Sequence, residues 1–470
     1  AEKGGEKPYA FTLHAPSLGP ALTYLDRRDL REILWRASAD LAYGGLYDNR
    51  NIVLDIVRLR SERAKLLGFN SHADYVLDRR MAKTVTKVKS FLSNLVAAAK
   101  PRAAKELEDL KEFAGVKELK PWDLSYYSEK LRQAKYAFSS EDFRPYFPIQ
   151  HALKGTFQHF ERLFDVTFVE DKSLAVWHEE VQTFIVTDNK TKAELGVLYT
   201  DFFPRESKRA GAWMTDFRGA GLFRGKVERP IVAIVGNFTK PAEGKPSLLT
   251  FGEVETLFHE MGHAMHGLLA QGKHPSLTGT NVLWDFVELP SQIQENWLME
   301  DETLALVARH YETGAAIPRE LVDKMRAAQT FQSGLFNLRQ VTLGTMDIAW
   351  HTVTDASEIR DVLAFEREAV DHLTLMPYEA GCRSTSFSHI FAGGYSAGYY
   401  SYLWAEVLDA DAFDLFKEKG LYDPETAQSY RSNILEKGGS EDPMKLYVAF
   451  RGREPSETAM LKRKGLLDAA

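Results

Sequence analysis

The chain has 470 residues, 44% of them hydrophobic and 27% charged, with a formal net charge of −7. That length can bury a large core, and the mix is that of a globular protein rather than a disordered one. The modest negative charge argues against nucleic acid or an anionic membrane as an obligate partner, and no run approaches the ~20 apolar residues that span a bilayer.

The chain opens at Ala1 without an initiator Met, and its first eight residues hold no apolar signal region. Residues 1–145 read mostly as helices and are expected to form a helical lobe. Leu30, Ile33, Leu34, Ala37 and Leu41 trace one apolar face, and Val88, Phe91, Leu92, Leu95 and Val96 another. Residues 97–112, rich in Ala, Lys and Glu, suit an exposed helix flank. Residues 146–470 are the expected catalytic region. Over 183–238 its character changes: 183–187, 195–199 and 231–235 are β-type runs, with Asp188-Asn189-Lys190 as a hairpin turn. Asn237 and Phe238 end the last run, a strand that could take an extended peptide as an added strand.

A helix follows. Thr250 and Glu253 fit a capping box, Leu249 and Val254 a hydrophobic staple, and Gly272 a left-handed cap. Val254, Leu257, Phe258, Met261 and Met265 recur at helical spacing. Within it, His259 and His263 stand four apart, so both imidazoles lie on one face and can bind one Zn²⁺. Glu260 then falls beside the open coordination position, where a general base is needed. An ordinary amphipathic helix with a chance His pair is the competing reading. A metzincin would place a third His six residues past His263, but Leu269 stands there. Glu288 is the best third ligand, a carboxylate among apolar residues where a cation would offset its burial. Asp285 and Glu288 also fit a capping box, which leaves Glu288 a helix-start role instead. Glu295 could orient a ligand imidazole or be a solvated surface group. His266 reads as a packed neighbour of the site more readily than as a ligand. The zinc helices are expected over about 251–301.

After residue 250 the chain is helical except for a Gly/Ser-rich loop at 381–398. The single cysteine, Cys382, forbids an intrachain disulfide and suits a reducing cytoplasm. Arg383 could capture a peptide C-terminal carboxylate, or be an ordinary surface Arg. Tyr395, Tyr399 and Tyr402 share one face if helical, with Tyr400 pointing elsewhere. Phenol and imidazole donors such as Tyr402 and His389 can stabilise an oxyanion, and Gly393-Gly394 can let the segment fold over substrate. The competing reading is an aromatic stripe packed in a core. The substrate loop is expected over about 381–404.

Three separated motifs then carry a resemblance: Phe258–Gly267, Asp285–Gln292, and Ser388–Tyr395 with Gly398–Trp404. On them the chain resembles the thimet oligopeptidase family of zinc peptidases, most of all its bacterial peptidyl-dipeptidase and oligopeptidase members. The likeness covers essentially the whole chain. Family members are usually longer, and the chain looks like their C-terminal two-thirds, with an N-terminal segment cut away or present as another piece. The resemblance implies a mainly α fold of two helical lobes flanking a deep channel, with a small sheet next to the zinc helix. It implies one Zn²⁺ per chain on His259, His263 and Glu288, with Glu260 as base and short peptides as substrates. It puts Tyr402, His389, Tyr395 and Tyr399 on substrate-contacting positions, along the Gly393-Gly394 hinge. The expected activity is release of C-terminal dipeptides. An endo-acting oligopeptidase is the alternative within the family, and an inactive, truncated peptide-binding scaffold the alternative outside it. A bacterial cytoplasmic location is expected, with export open because the N-terminus looks truncated.

Overall fold

A computed structural model describes residues 11–13, 15–137, 140–209, 211–241, 243–376, 379 and 381–467. The first eight residues discussed above lie outside them. The fold is mainly α with one small mixed sheet. The chain divides into two compact units, one of residues 1–137, 327–400 and 464–470, the other of residues 138–326 and 401–463. Among the described residues, no helix is long and apolar enough to cross a membrane.

The first unit is built on two helices, Val85–Ala114 and Ser333–His351, packed along each other. Val88, Phe91, Leu92 and Leu95 are buried, as their spacing predicts. The expected exposed flank at 97–112 instead contributes one face to the core, because Ala99, Ala103, Leu107 and Leu110 are buried. Alanines one turn apart admit a close neighbour, so a low-hydrophobicity stretch can still line an interface. Glu106 is buried there and accepts from the backbone N–H groups of Gly334 and Leu335, at the start of the partner helix.

Helix Arg28–Ala39 corrects another expectation. Ile33 is 62% exposed, while Arg31 is buried. Its guanidinium donates to the carbonyls of Leu25 and Trp122 and to Asp123 Oδ1. A buried arginine is tolerated when its fork is filled in this way.

The second unit holds strands β1 (Val166–Glu170), β2 (Gln182–Asp188), β3 (Glu194–Asp201), β4 (Trp213–Arg218), β5 (Gly221–Phe223), β6 (Lys226–Glu228) and β7 (Ile231–Val235). The main sheet runs β1-β2-β3-β7-β4, with β3 and β7 parallel, and β5 and β6 pair separately. The three anticipated runs are β2, β3 and β7. The sheet starts earlier than expected, at β1, and gains β4. Strand β7 is paired on both sides, so it cannot accept a peptide as an added strand. The helix Phe251–Leu268 seats on this sheet where Gly267 passes: a Cβ there would stand 2.8 Å from Met214 Cε and 3.0 Å from Val232 Cγ1.

Candidate metal and catalytic site

The helix carrying both histidines starts as its sequence predicts. Thr250 Oγ1 accepts from Glu253 N at 3.1 Å, and Glu253 Oε2 accepts from Thr250 N at 2.8 Å. Its end differs from expectation. Leu269 N closes the last turn on Met265 O, and Gln271 N then bonds to Glu436 O, so Gly272 lies beyond the helix and does not cap it.

The second element is the short helix Leu289–Glu295, with Glu288 at its N-cap position and Pro290 in its first turn. The helix starts at Leu289, so Glu288 is its N-cap rather than the third helical residue that a box opened by Asp285 would need, and its side chain makes no cap hydrogen bond. Its carboxylate turns to the histidines instead. Gly262 makes this possible: a Cβ there would lie 2.3 Å from Pro290 O and 2.6 Å from Ser291 Cα. The two helices therefore meet backbone to backbone beside His263, which any larger residue would prevent.

Three side-chain atoms converge. Glu288 Oε2 stands 3.3 Å from His259 Nε2 and 3.2 Å from His263 Nε2, and the three ligand atoms lie within 4.8 Å of one another. Zinc bonds of about 2.0–2.1 Å in a tetrahedron put ligand atoms about 3.3–3.4 Å apart, so the two measured edges suit that ion. The chemistry of the donors agrees. His259 Nδ1 bonds to Glu295 Oε1 at 2.7 Å, which leaves Nε2 to face Glu288. A neutral His259 would present a lone pair there, which a cation between the two acceptors would satisfy; a protonated one donates to the same Oε2. Glu288 Oε2 also accepts from Ser291 Oγ at 3.0 Å, a supporting contact that the sequence reading missed. The i, i+3 spacing from Glu288 to Ser291 was its only signal.

The local fields follow from these contacts. Burial opposes a charge on His259, but the Glu288 and Glu295 carboxylates outweigh it and hold the imidazole well above its ordinary pKa. Burial pushes Glu288 up, and the His263 and His259 imidazoles overturn that, leaving it well below the usual carboxylate range. Glu260 is shifted upward, chiefly by burial, against the nearby His259 and His263. Its Oε2 is buried and makes no hydrogen bond among the described residues. His266 is fully buried, with its pKa pushed down to about 3 by burial and by His263, and it is not one of the three converging ligands.

Tyr402 belongs to the same unit as these groups, on the first turn of helix Ser401–Lys419. It is half-buried, and its carbonyl lies 3.5 Å from Gln292 Nε2, one turn past Glu288. The helix begins only at Ser401, so Tyr395 and Tyr399 sit in turns before it, and the anticipated common helical face does not exist. His389, Gly393, Gly394, Tyr395 and Tyr399 belong to the other unit. His389 and the two glycines are exposed and Tyr395 is half-buried. Tyr399 is buried, its hydroxyl donating to Gln340 Oε1 at 3.2 Å. Arg383 is exposed and stacks over Phe387.

Known proteins resemble the chain over nearly its whole length. Peptidase family M3 matches residues 21–466. The chain is 43% identical over 480 residues to oligopeptidase A of Haemophilus influenzae, covering 100% of this chain and 70% of that protein. It is 36% identical over 473 residues to dipeptidyl carboxypeptidase of Escherichia coli, covering 99% and 69%. The solved structure of PZ peptidase A with inhibitor 2 shares the fold, with a TM-score of 0.59 at 17% identity over 96% of this chain and 70% of that one.

Proposed function

The chain belongs to peptidase family M3 and is a metallopeptidase, and on that premise we propose that it is a zinc enzyme cleaving short peptides. His259, His263 and Glu288 are the zinc ligands in this reading, with one ion per chain. The observation that carries it is the triangle of Nε2, Nε2 and Oε2 atoms at 3.2–3.3 Å from the shared carboxylate. When bound, zinc supplies a Lewis acid that lowers the pKa of water toward ~7 and polarises the scissile carbonyl.

The chain's own groups do the rest. Glu260, next to His259 and with Oε2 unengaged among the described residues, takes the proton of the attacking water and passes a proton to the leaving amine. Glu295 holds His259 in the tautomer that keeps Nε2 as a lone pair. The Tyr402 hydroxyl donates to the developing oxyanion. His389 and Tyr395 add donors toward the substrate, and Gly393-Gly394 give their segment freedom to adapt. The higher identity to an oligopeptidase A than to a dipeptidyl carboxypeptidase favours cleavage within short peptides over dipeptide release. Dipeptide release would draw on Arg383 as the donor to a peptide's C-terminal carboxylate. Mass-spectrometric mapping of cuts in peptides with free and blocked C-termini separates the two: dipeptide release stops on blocking, internal cleavage does not.

Metal analysis should give about one zinc per chain, coordinated as an anomalous-scattering map of crystals would show by His259, His263 and Glu288. Metal elsewhere, or coordinated without Glu288, would remove this ligand set. Glu295→Gln should weaken zinc binding by about 10- to 100-fold in competition with a chelator, since the neutral amide orients His259 less firmly. Unchanged affinity would show that Glu295 has no part in holding the metal.

A further inference from the structure

The segment that carries His389, Gly393, Gly394 and Tyr395 is gripped at its base by side chains of its own unit. Asp347, on helix Ser333–His351, is fully buried. Its Oδ1 accepts from Ala397 N at 2.8 Å and from His351 Nδ1 at 2.7 Å, and its Oδ2 accepts from Tyr399 N at 2.8 Å. His351 Nε2 lies 2.8 Å from Arg60 Nη1. An arginine only donates, so Nε2 accepts and Nδ1 carries the proton shared with Asp347. Arg60 Nη1 also donates to Ile390 O at 2.7 Å, and His72 Nε2 bonds to Ser396 Oγ at 3.0 Å. The grip thus falls at residues 390, 396, 397 and 399, on both sides of the exposed Gly393-Gly394 pair.

We propose that Asp347 is the positioning residue of this segment, setting where His389 and Tyr395 stand and so how a peptide is seated. The proposal rests on the reading that the segment contacts substrate. Three features support it. One carboxylate takes two backbone N–H groups two residues apart, which orients the 397–399 turn as a unit. Ala397 is held there at φ +52°, a left-handed conformation that alanine leaves readily unless its N–H is engaged. The register then passes outward, because Gly398 N bonds to Tyr395 O at 2.9 Å and Tyr395 N bonds to His389 O at 3.1 Å. A core that needed only packing at position 347 would be served by an apolar side chain. A buried carboxylate with three donors serves placement.

Asp347→Asn tests it, because an amide offers one acceptor oxygen and turns N–H groups toward donors. Hydrogen exchange of the Ala397 and Tyr399 amides should rise about 10- to 100-fold, as for a lost bond to a charged group, while helix Val85–Ala114 keeps its protection. With a fluorogenic peptide, KM should rise by about the same 10- to 100-fold factor, the looser segment being ordered only on binding. A merely structural loss removes active molecules and lowers apparent kcat at constant KM, and that result would overturn the proposal. So would unchanged exchange, or raised exchange with unchanged kinetics. If Asp347→Asn does not fold, His351→Gln leaves both amide bonds in place but removes the imidazole between Asp347 and Arg60. It should give the same pattern at smaller amplitude, and parental exchange and kinetics in it would overturn the proposal equally. Parental kinetics in both His389→Ala and Tyr395→Phe would sink the substrate role of the segment, and with it the seating claim. The exchange measurement, independent of that role, shows separately whether Asp347 holds the segment.

Discussion

Glu260→Gln should keep its zinc and lose about 10²- to 10⁴-fold in kcat, the range that general-base catalysis supplies. Glutamine reproduces the shape of glutamate but cannot take up a proton. Glu260 follows His259 directly on a helix locked by the Thr250 and Glu253 capping box, so the substitution leaves the His259 and His263 imidazoles in place. Its Oε2 serves no other group among the described residues, so no structural hydrogen bond is lost there. Burial disfavours its charge, so the neutral amide should leave thermal stability unchanged or raised. Zinc content, Tm and kcat measured on one preparation decide the matter. Activity within about tenfold of the parent, at equal zinc content, would take the base role away from Glu260.

The parts of this site that were legible in the sequence are those decided within a few residues. The capping box and the apolar spacing depend on neighbours one helical turn apart, and they read correctly; the same spacing sets the His259 and His263 rings side by side. The runs at 183–187, 195–199 and 231–235 declared themselves as strands by composition. Their order did not, because β7 enters between β3 and β4, a long-range choice. Local pattern was ambiguous for Glu288, where capping and ligation both fit. The close packing that Gly262 permits, where a Cβ would stand 2.3 Å from Pro290 O, is what brings the carboxylate onto the histidines. Arg31 was invisible as a core residue because its partner, Asp123, lies 92 residues away. The tyrosine stripe misled for a related reason. Its spacing fits a helix, but Asp347, distant in sequence, takes the amides of Ala397 and Tyr399 and holds those residues in turns, so the helix waits until Ser401.

Tyr402→Phe should lower kcat by about 10²- to 10³-fold with little change in KM, the cost of removing one oxyanion donor. Of the tyrosines in this stretch, Tyr402 alone combines a place on the helix with membership of the unit that holds the proposed metal site. Its backbone is tied to Gln292, one turn from Glu288. The ring is half-buried, so the phenylalanine keeps the packing that the tyrosine makes and the hydroxyl is isolated as the variable. Tyr400 supplies the contrast. It is fully buried two residues earlier, where a ring serves the core. Tyr400→Phe should leave kcat near the parental value and express any cost as a lower Tm. If Tyr402 were also a packing residue, its variant would behave in the same way, with kcat unchanged. Equal losses of kcat at the two positions would mean that neither loss reports an oxyanion donor, and Tyr402 would lose its role. A rise in KM matching the fall in kcat/KM, with kcat intact, would instead move Tyr402 from the transition state to ground-state binding of the peptide.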